Sequence, residues 1–128
     1  MRRTLTAVAL TAVVLLAGRA YAHHSFAATY IESQKVTIEG DLLQFQWRNP
    51  HSFVQLMAKD AKGQTQRWSA EWGSGGQLGI QGVARDTLKV GDHLVITGDP
   101  SRTAGDFRVR VRTIFRPADG WRWGGEFD

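Results

Sequence analysis

One predicted strand of this chain changes phase halfway along, and this feature constrains the fold most strongly. Within residues 35–47, two sets of apolar residues alternate out of phase with each other: Val36, Ile38 and Leu42, then Leu43, Phe45 and Trp47. Gly40 lies just before the change, and a glycine beside a β-bulge lets a long strand bend. A strand bent in this way can serve two sides of a small barrel.

The remaining segments predict further short strands separated by turns. Alternating patterns cover residues 52–59, 64–71, 93–98 and 107–115, whereas residues 73–85 lose the period of two and suit a short helix or a coil. We therefore predict an all-β fold, a five-stranded Greek-key barrel of the OB type with a short helix or coil between strands three and four. Another small β-barrel or a sandwich is the alternative. Residues 117–128 form either a short extra strand or a flexible end.

The amino-terminal segment has the features of a cleavable export signal. Arg2 and Arg3 form a positive n-region, and an uncharged apolar stretch follows that is shorter than the roughly 20 residues of a membrane span. Ala20 and Ala22 flank Tyr21 as in an A-x-A cleavage site. We predict a signal peptide at 1–22, a single mature domain at 23–128, and a periplasmic or secreted protein without a stable membrane anchor. A retained amino-terminal helix and cleavage after Ala20 are the alternatives.

Removal of the signal changes the charge balance. The chain has 16 basic and 12 acidic residues, and Arg2, Arg3 and Arg19 leave with the signal while every acidic residue stays. The mature domain is thus nearly neutral, and together with export this argues against a nucleic-acid partner. Cysteine is absent, which excludes disulfides, thiol nucleophiles and cysteine metal sites.

Cleavage after Ala22 creates the most specific candidate site. His23 would then carry the free terminal amine, and an amine and imidazole of one residue can chelate a metal ion as a histidine brace. His24 follows directly, and His51 in Asn49-Pro50-His51 can supply a further nitrogen from a turn that proline restricts. Imidazole ligands without thiolate favour Cu(II), so His23, His24 and His51 predict a copper site. The alternative is a solvated terminus and a turn histidine that bonds locally.

A row of arginines predicts a second candidate surface. Four of them fall on one face of the fifth predicted strand: Arg108, Arg110, Arg112 and Arg116. Such a strip could bind an anionic ligand or another exported protein through bidentate contacts. The alternative is a solvated face whose charges protect an edge strand.

No recognisable catalytic motif is present. The sequence lacks a Ser-His-Asp set in a familiar setting, a P-loop, a dinucleotide fingerprint and an HExxH motif. Glu71 lies between Trp68 and Trp72; we expect it to be a surface carboxylate, and a buried carboxylate with a raised pKa is the alternative. The leading interpretation is a non-catalytic binding protein, with the copper site as its most concrete hypothesis. An accessory protein that uses the arginine strip and a copper-dependent redox enzyme are the alternatives.

Several sequence blocks in a fixed order resemble a family of small exported bacterial proteins of unknown function. The blocks are His23-His24-Ser25-Phe26-Ala27-Ala28, Glu39-Gly40, Asn49-Pro50-His51, Trp68, residues 73–85 and Leu88-Lys89-x-Gly91-Asp92. The resemblance implies export and a compact β domain, and it implies no particular activity. A more distant similarity, in architecture alone, is to periplasmic OB-fold binding proteins.

Overall fold

The computed structural model describes residues 26–125, which fold into six strands and short helical segments. A helical turn covers residues 26–29. The other elements are β1 (Val36–Gln46), β2 (Phe53–Lys59), β3 (Thr65–Glu71), α1 (Gly75–Ile80), β4 (His93–Pro100), β5 (Arg108–Arg116) and β6 (Trp121–Gly124). Within the described part of the chain, no helix has the length and apolar character needed to cross a bilayer.

Five of the strands form a closed barrel. They are hydrogen-bonded in the order β3-β2-β1-β4-β5, and a parallel pairing of β3 with β5 closes the ring. All the other pairings are antiparallel. This connectivity confirms the predicted five-stranded Greek-key barrel, with the short helix α1 between β3 and β4. The strand β6 pairs with β5 outside the barrel, so the tail contains the extra strand that was one of its two predicted forms.

The phase change predicted in the first strand is a β-bulge. The register of β1 against β2 shifts between Leu42 and Gln44, and Leu43 is the extra residue. Gly40 has a separate role, because a Cβ atom there would lie 1.7 Å from the carbonyl oxygen of Met57. The glycine therefore allows β2 to approach β1 closely, just before the bend.

A second bulge lies in β5 and corrects the predicted arginine row. The register against β4 shifts between Thr97 and Gly98, which leaves Arg112 as the extra residue of β5. Val111 is buried before the bulge and Ile114 after it, so the inward-facing positions change phase. Arg116, two residues after Ile114, is therefore in phase with the inward-facing positions. The prediction that all four arginines lie on one face is wrong for this residue.

The barrel interior holds one apolar core, and α1 covers one end of it. Ser74 caps this helix by accepting a hydrogen bond from the Gln77 backbone N–H at 3.1 Å, and Leu78 is buried. The core consists of Ile38, Leu42, Val54, Leu56, Ala58, Ala70, Trp72, Leu78, Val83, Leu88, Leu94, Ile96, Val109, Val111 and Ile114.

Candidate functional site

Hydrogen bonds hold the turn that carries His51 against the end of the barrel, beside α1. Ser52 is fully buried; its hydroxyl accepts from the Arg48 N–H at 3.1 Å, and its own N–H donates to the Gly73 carbonyl at 2.9 Å. The Gly75 N–H, at the start of α1, donates to the Arg48 carbonyl at 2.9 Å. The Asn49–Pro50 peptide bond is cis. The three hydrogen bonds fix the backbone on both sides of His51.

Glu71 contacts the His51 ring through its carboxylate, and its side chain is only 10% exposed. It is the last residue of β3, where it pairs with Phe53 on β2 and with Arg110 on β5. The expectation of a surface carboxylate is therefore wrong. Burial results from the closure of the barrel between β3 and β5, a contact that the local pattern around Glu71 does not encode.

Three polar side chains converge on this buried carboxylate. Nδ1 of His51 lies 2.7 Å from Oε1, while Nη2 of Arg108 donates to Oε2 at 2.7 Å and the Tyr30 hydroxyl donates to the same oxygen. Tyr30 is fully buried, and burial together with the hydrogen bond to Glu71 raises the pKa of its phenol far above the ordinary value. We call Tyr30, His51, Glu71 and Arg108 the Glu71 cluster. Its tyrosine remains a neutral donor at physiological pH.

An amino-terminal arm, residues 26–32, supplies Tyr30 to the cluster and packs against His51 through Phe26. The ring of Phe26 lies 5.2 Å from that of His51, centroid to centroid. Arg110 holds the arm from the other side, with Cζ 3.9 Å from the Phe26 ring centroid and Nη1 donating to Glu32 at 2.9 Å. Arg102 adds a hydrogen bond from Nε to the Ala27 carbonyl at 2.6 Å. The chain just after the predicted cleavage site therefore packs against His51.

Two of the three predicted copper ligands, His23 and His24, lie outside the described residues. His51 is 33% exposed at its side chain, although its Nδ1 atom is buried. Among residues 26–125, no group of three or more His, Cys, Asp or Glu side chains is arranged to hold a metal ion. A site of three such ligands that includes His51 would therefore need at least one ligand from outside residues 26–125.

The four arginines predicted as a partner-binding strip all have carboxylate partners within the chain. Arg108 pairs with Glu71, and Arg110 pairs with Glu32. Arg112 donates through Nε to both oxygens of the buried Asp99 at 3.0 Å, and Arg116 pairs with Asp92 and Asp119 at 2.8 Å. An anionic partner would have to compete with these contacts.

No pattern in the sequence predicts that Tyr30, Glu71 and Phe26 lie next to His51. Tyr30 and Glu71 are 41 positions apart, and their contact depends on how the arm crosses the closed barrel. The available signal was Glu71 between apolar residues at the end of a predicted strand, which indicates burial but no partner.

No curated protein and no solved structure matches this chain. One protein-family model matches residues 10–108, which is most of the chain. The protein therefore belongs to DUF6152, a family of unknown function.

Proposed function

We propose that this is an exported, non-catalytic copper-binding protein whose ligands are His23, His24 and His51. One observation carries the proposal: the Phe26 ring packs 5.2 Å from the His51 ring. Three residues of chain span at most about 10 Å, so a terminal amine on His23 is within reach of His51. Cleavage after Ala22 is part of the proposal, because it creates that amine.

The donor chemistry supports copper over harder cations. The set offers imidazole nitrogens and one amine and no thiolate, since the chain has no cysteine. Such ligands favour Cu(II) over Mg²⁺ or Ca²⁺. At His51 the buried Nδ1 leaves Nε2 as the ring nitrogen available to a ligand, in a side chain that is one-third exposed.

An accessory role through the arginine strip has less support. Each of Arg108, Arg110, Arg112 and Arg116 already has a carboxylate partner, and Arg110 also packs on Phe26. Their charges are therefore largely committed to holding the arm and the strands. A redox enzyme would need a substrate surface in addition to the same copper ligands, and no observation favours one.

The decisive experiment compares two forms of the protein that differ by one residue. The mature protein beginning at His23 is titrated with Cu(II) beside a form with one glycine before His23, and mass spectrometry verifies both termini. The extension removes the amine from His23 and makes His24 the third residue, where the amine, the intervening backbone amides and an imidazole can bind Cu(II) without His51. We therefore expect the electron paramagnetic resonance spectrum to change and Cu(II) binding in the extended form to become independent of His51. An unchanged spectrum and an unchanged dependence on His51 would refute the brace.

A third form, beginning at Tyr21, tests the other cleavage site. Cleavage after Ala20 would place His23 third in the chain, where Cu(II) can bind the amine, the intervening backbone amides and the imidazole. That arrangement does not use His51. Substitution of His51 should therefore weaken Cu(II) binding in the form that begins at His23 and leave binding in the longer form unchanged.

A further inference from the structure

The contact between His51 and Glu71 constrains which ring nitrogen carries the proton. Nδ1 and Oε1 are 2.7 Å apart, a distance at which a nitrogen lone pair and a carboxylate oxygen would repel each other. The ring is not turned to give a straight hydrogen bond, yet Nδ1 is buried and has no other hydrogen-bond partner among residues 26–125. A proton on Nδ1 relieves the repulsion.

The other contacts of Glu71 fix the carboxylate in place. Oε2 accepts from both the Tyr30 hydroxyl and Nη2 of Arg108, which leaves Oε1 to face His51. The Arg108 guanidinium also lies over the rings of Tyr30 and Phe53, with Cζ 5.7 Å and 5.5 Å from their centroids. Two donors therefore hold Oε2 of Glu71, and Oε1 is the carboxylate oxygen that contacts His51.

We infer that Glu71 is a positioning residue that holds neutral His51 as the Nδ1–H tautomer, with the Nε2 lone pair directed away from the cluster. This inference does not depend on a metal. Its consequence for copper rests on the proposed function: Nε2 would be the ligand atom, already deprotonated and oriented before the ion arrives.

Through Tyr30, the Glu71 carboxylate is also connected to the amino-terminal arm. Its backbone N–H donates to the Phe26 carbonyl at 2.7 Å, while its hydroxyl donates to Glu71. One carboxylate thus contacts the histidine and the segment that leads to His23. The arm and the His51 ring are oriented by a shared group.

Nitrogen-15 NMR of the metal-free protein tests the inference directly. At pH 8.5, about two units above the usual pKa of histidine, the ring nitrogen shifts distinguish the two neutral tautomers. His51 signals are assigned by their loss in His51→Gln. We expect the proton on Nδ1 in the wild-type protein; a proton on Nε2 would overturn the inference, and this measurement needs no variant of Glu71.

The variant Glu71→Gln should reverse the tautomer. Tyr30 and Arg108 both donate, so they will hold the amide oxygen, and the amide nitrogen will face His51 as a donor. Nδ1 must then accept, and the proton moves to Nε2. The matched control is Glu39→Gln, whose carboxylate contacts Nε2 of the exposed His93 at 2.9 Å and should change only His93 signals.

Copper titration of the same variants separates this inference from the proposed function. We expect Glu71→Gln to weaken Cu(II) binding by about 10- to 100-fold, as is typical when a partner of a metal ligand is lost, and Glu39→Gln to have no effect. A wild-type protein that shows the Nδ1–H tautomer but binds no Cu(II) would refute the copper function alone. A variant whose His51 tautomer is unchanged would refute the role of Glu71 alone.

Discussion

Two histidines in the described part of the barrel contact carboxylates, and these contacts differ in burial. At one end, His51 lies 2.7 Å from Glu71, whose side chain is 10% exposed. On the outer face of β1 and β4, His93 lies between Asp41 at 2.7 Å and Glu39 at 2.9 Å, and both carboxylates are more than 60% exposed. The distances are nearly equal, so the two histidines differ in burial and in the number of ring nitrogens that contact a carboxylate.

That difference determines what each histidine can do. Both ring nitrogens of His93 face carboxylates, which favours the imidazolium form and leaves no lone pair for a metal ion. Hydrogen bonds to Asp41 and Glu39 accordingly raise the pKa of His93. His51 has one nitrogen turned inward and the other available. A surface pair stabilises the protonated form, whereas a buried carboxylate on one side prepares the ring as a ligand.

The largest expected effect comes from removing each histidine in turn. His51→Ala deletes a proposed ligand, so Cu(II) affinity of the mature protein should fall by more than about 100-fold, beyond the usual cost of losing a residue that only contacts a ligand. His93→Ala is the matched control, because it removes an imidazole that has no available lone pair. Isothermal titration with Cu(II) measures both. Equal losses in the two variants would show that the comparison between the histidines does not describe metal binding.

A smaller effect is expected on stability when one hydroxyl is removed at each location. Tyr30→Phe removes a buried hydrogen bond to the Glu71 carboxylate, and bonds of this type contribute about 1.5–3 kcal/mol. Thr37→Val, the control, removes an exposed hydroxyl that lies 2.9 Å from the Thr97 hydroxyl, and should change the free energy of unfolding by less than about 0.5 kcal/mol. Urea denaturation of both variants gives the values. A Tyr30→Phe protein as stable as wild type would mean that Glu71 does not depend on this donor.

The sequence contains enough local information for the barrel and for half of the candidate site. Alternation predicts the strands, and the change of phase at Leu43 predicts the bulge, because both follow from the period of two in a strand. The Asn49-Pro50-His51 turn is also local. Tyr30 and Glu71 meet only after the barrel closes and the arm crosses it, so no spacing in the sequence predicts their contact.

The arginine row of β5, which supplies Arg108 to the Glu71 cluster, shows the same limit. Strict alternation predicts Arg108, Arg110 and Arg112 correctly as a row, but one extra residue in β5 changes the phase before Arg116. The charges of these arginines are visible in the sequence, whereas their partners come from distant segments. The alternating pattern therefore predicts a basic strip where the structure contains ion pairs.

The smallest expected effect is a dependence of stability on pH at His93. Because its folded-state pKa is raised above the unfolded value of about 6.5, its contribution is fully present below that pH and is lost as the pH rises through the folded-state pKa. The difference in unfolding free energy between the wild-type protein and His93→Gln should thus be largest at pH 5.5 and shrink toward pH 8.5. It should stay below about 1 kcal/mol because the pair is exposed, and 1 M salt should reduce it by screening. A difference that grows with pH, or resists salt, would mean that His93 is not stabilised as an imidazolium between the two carboxylates.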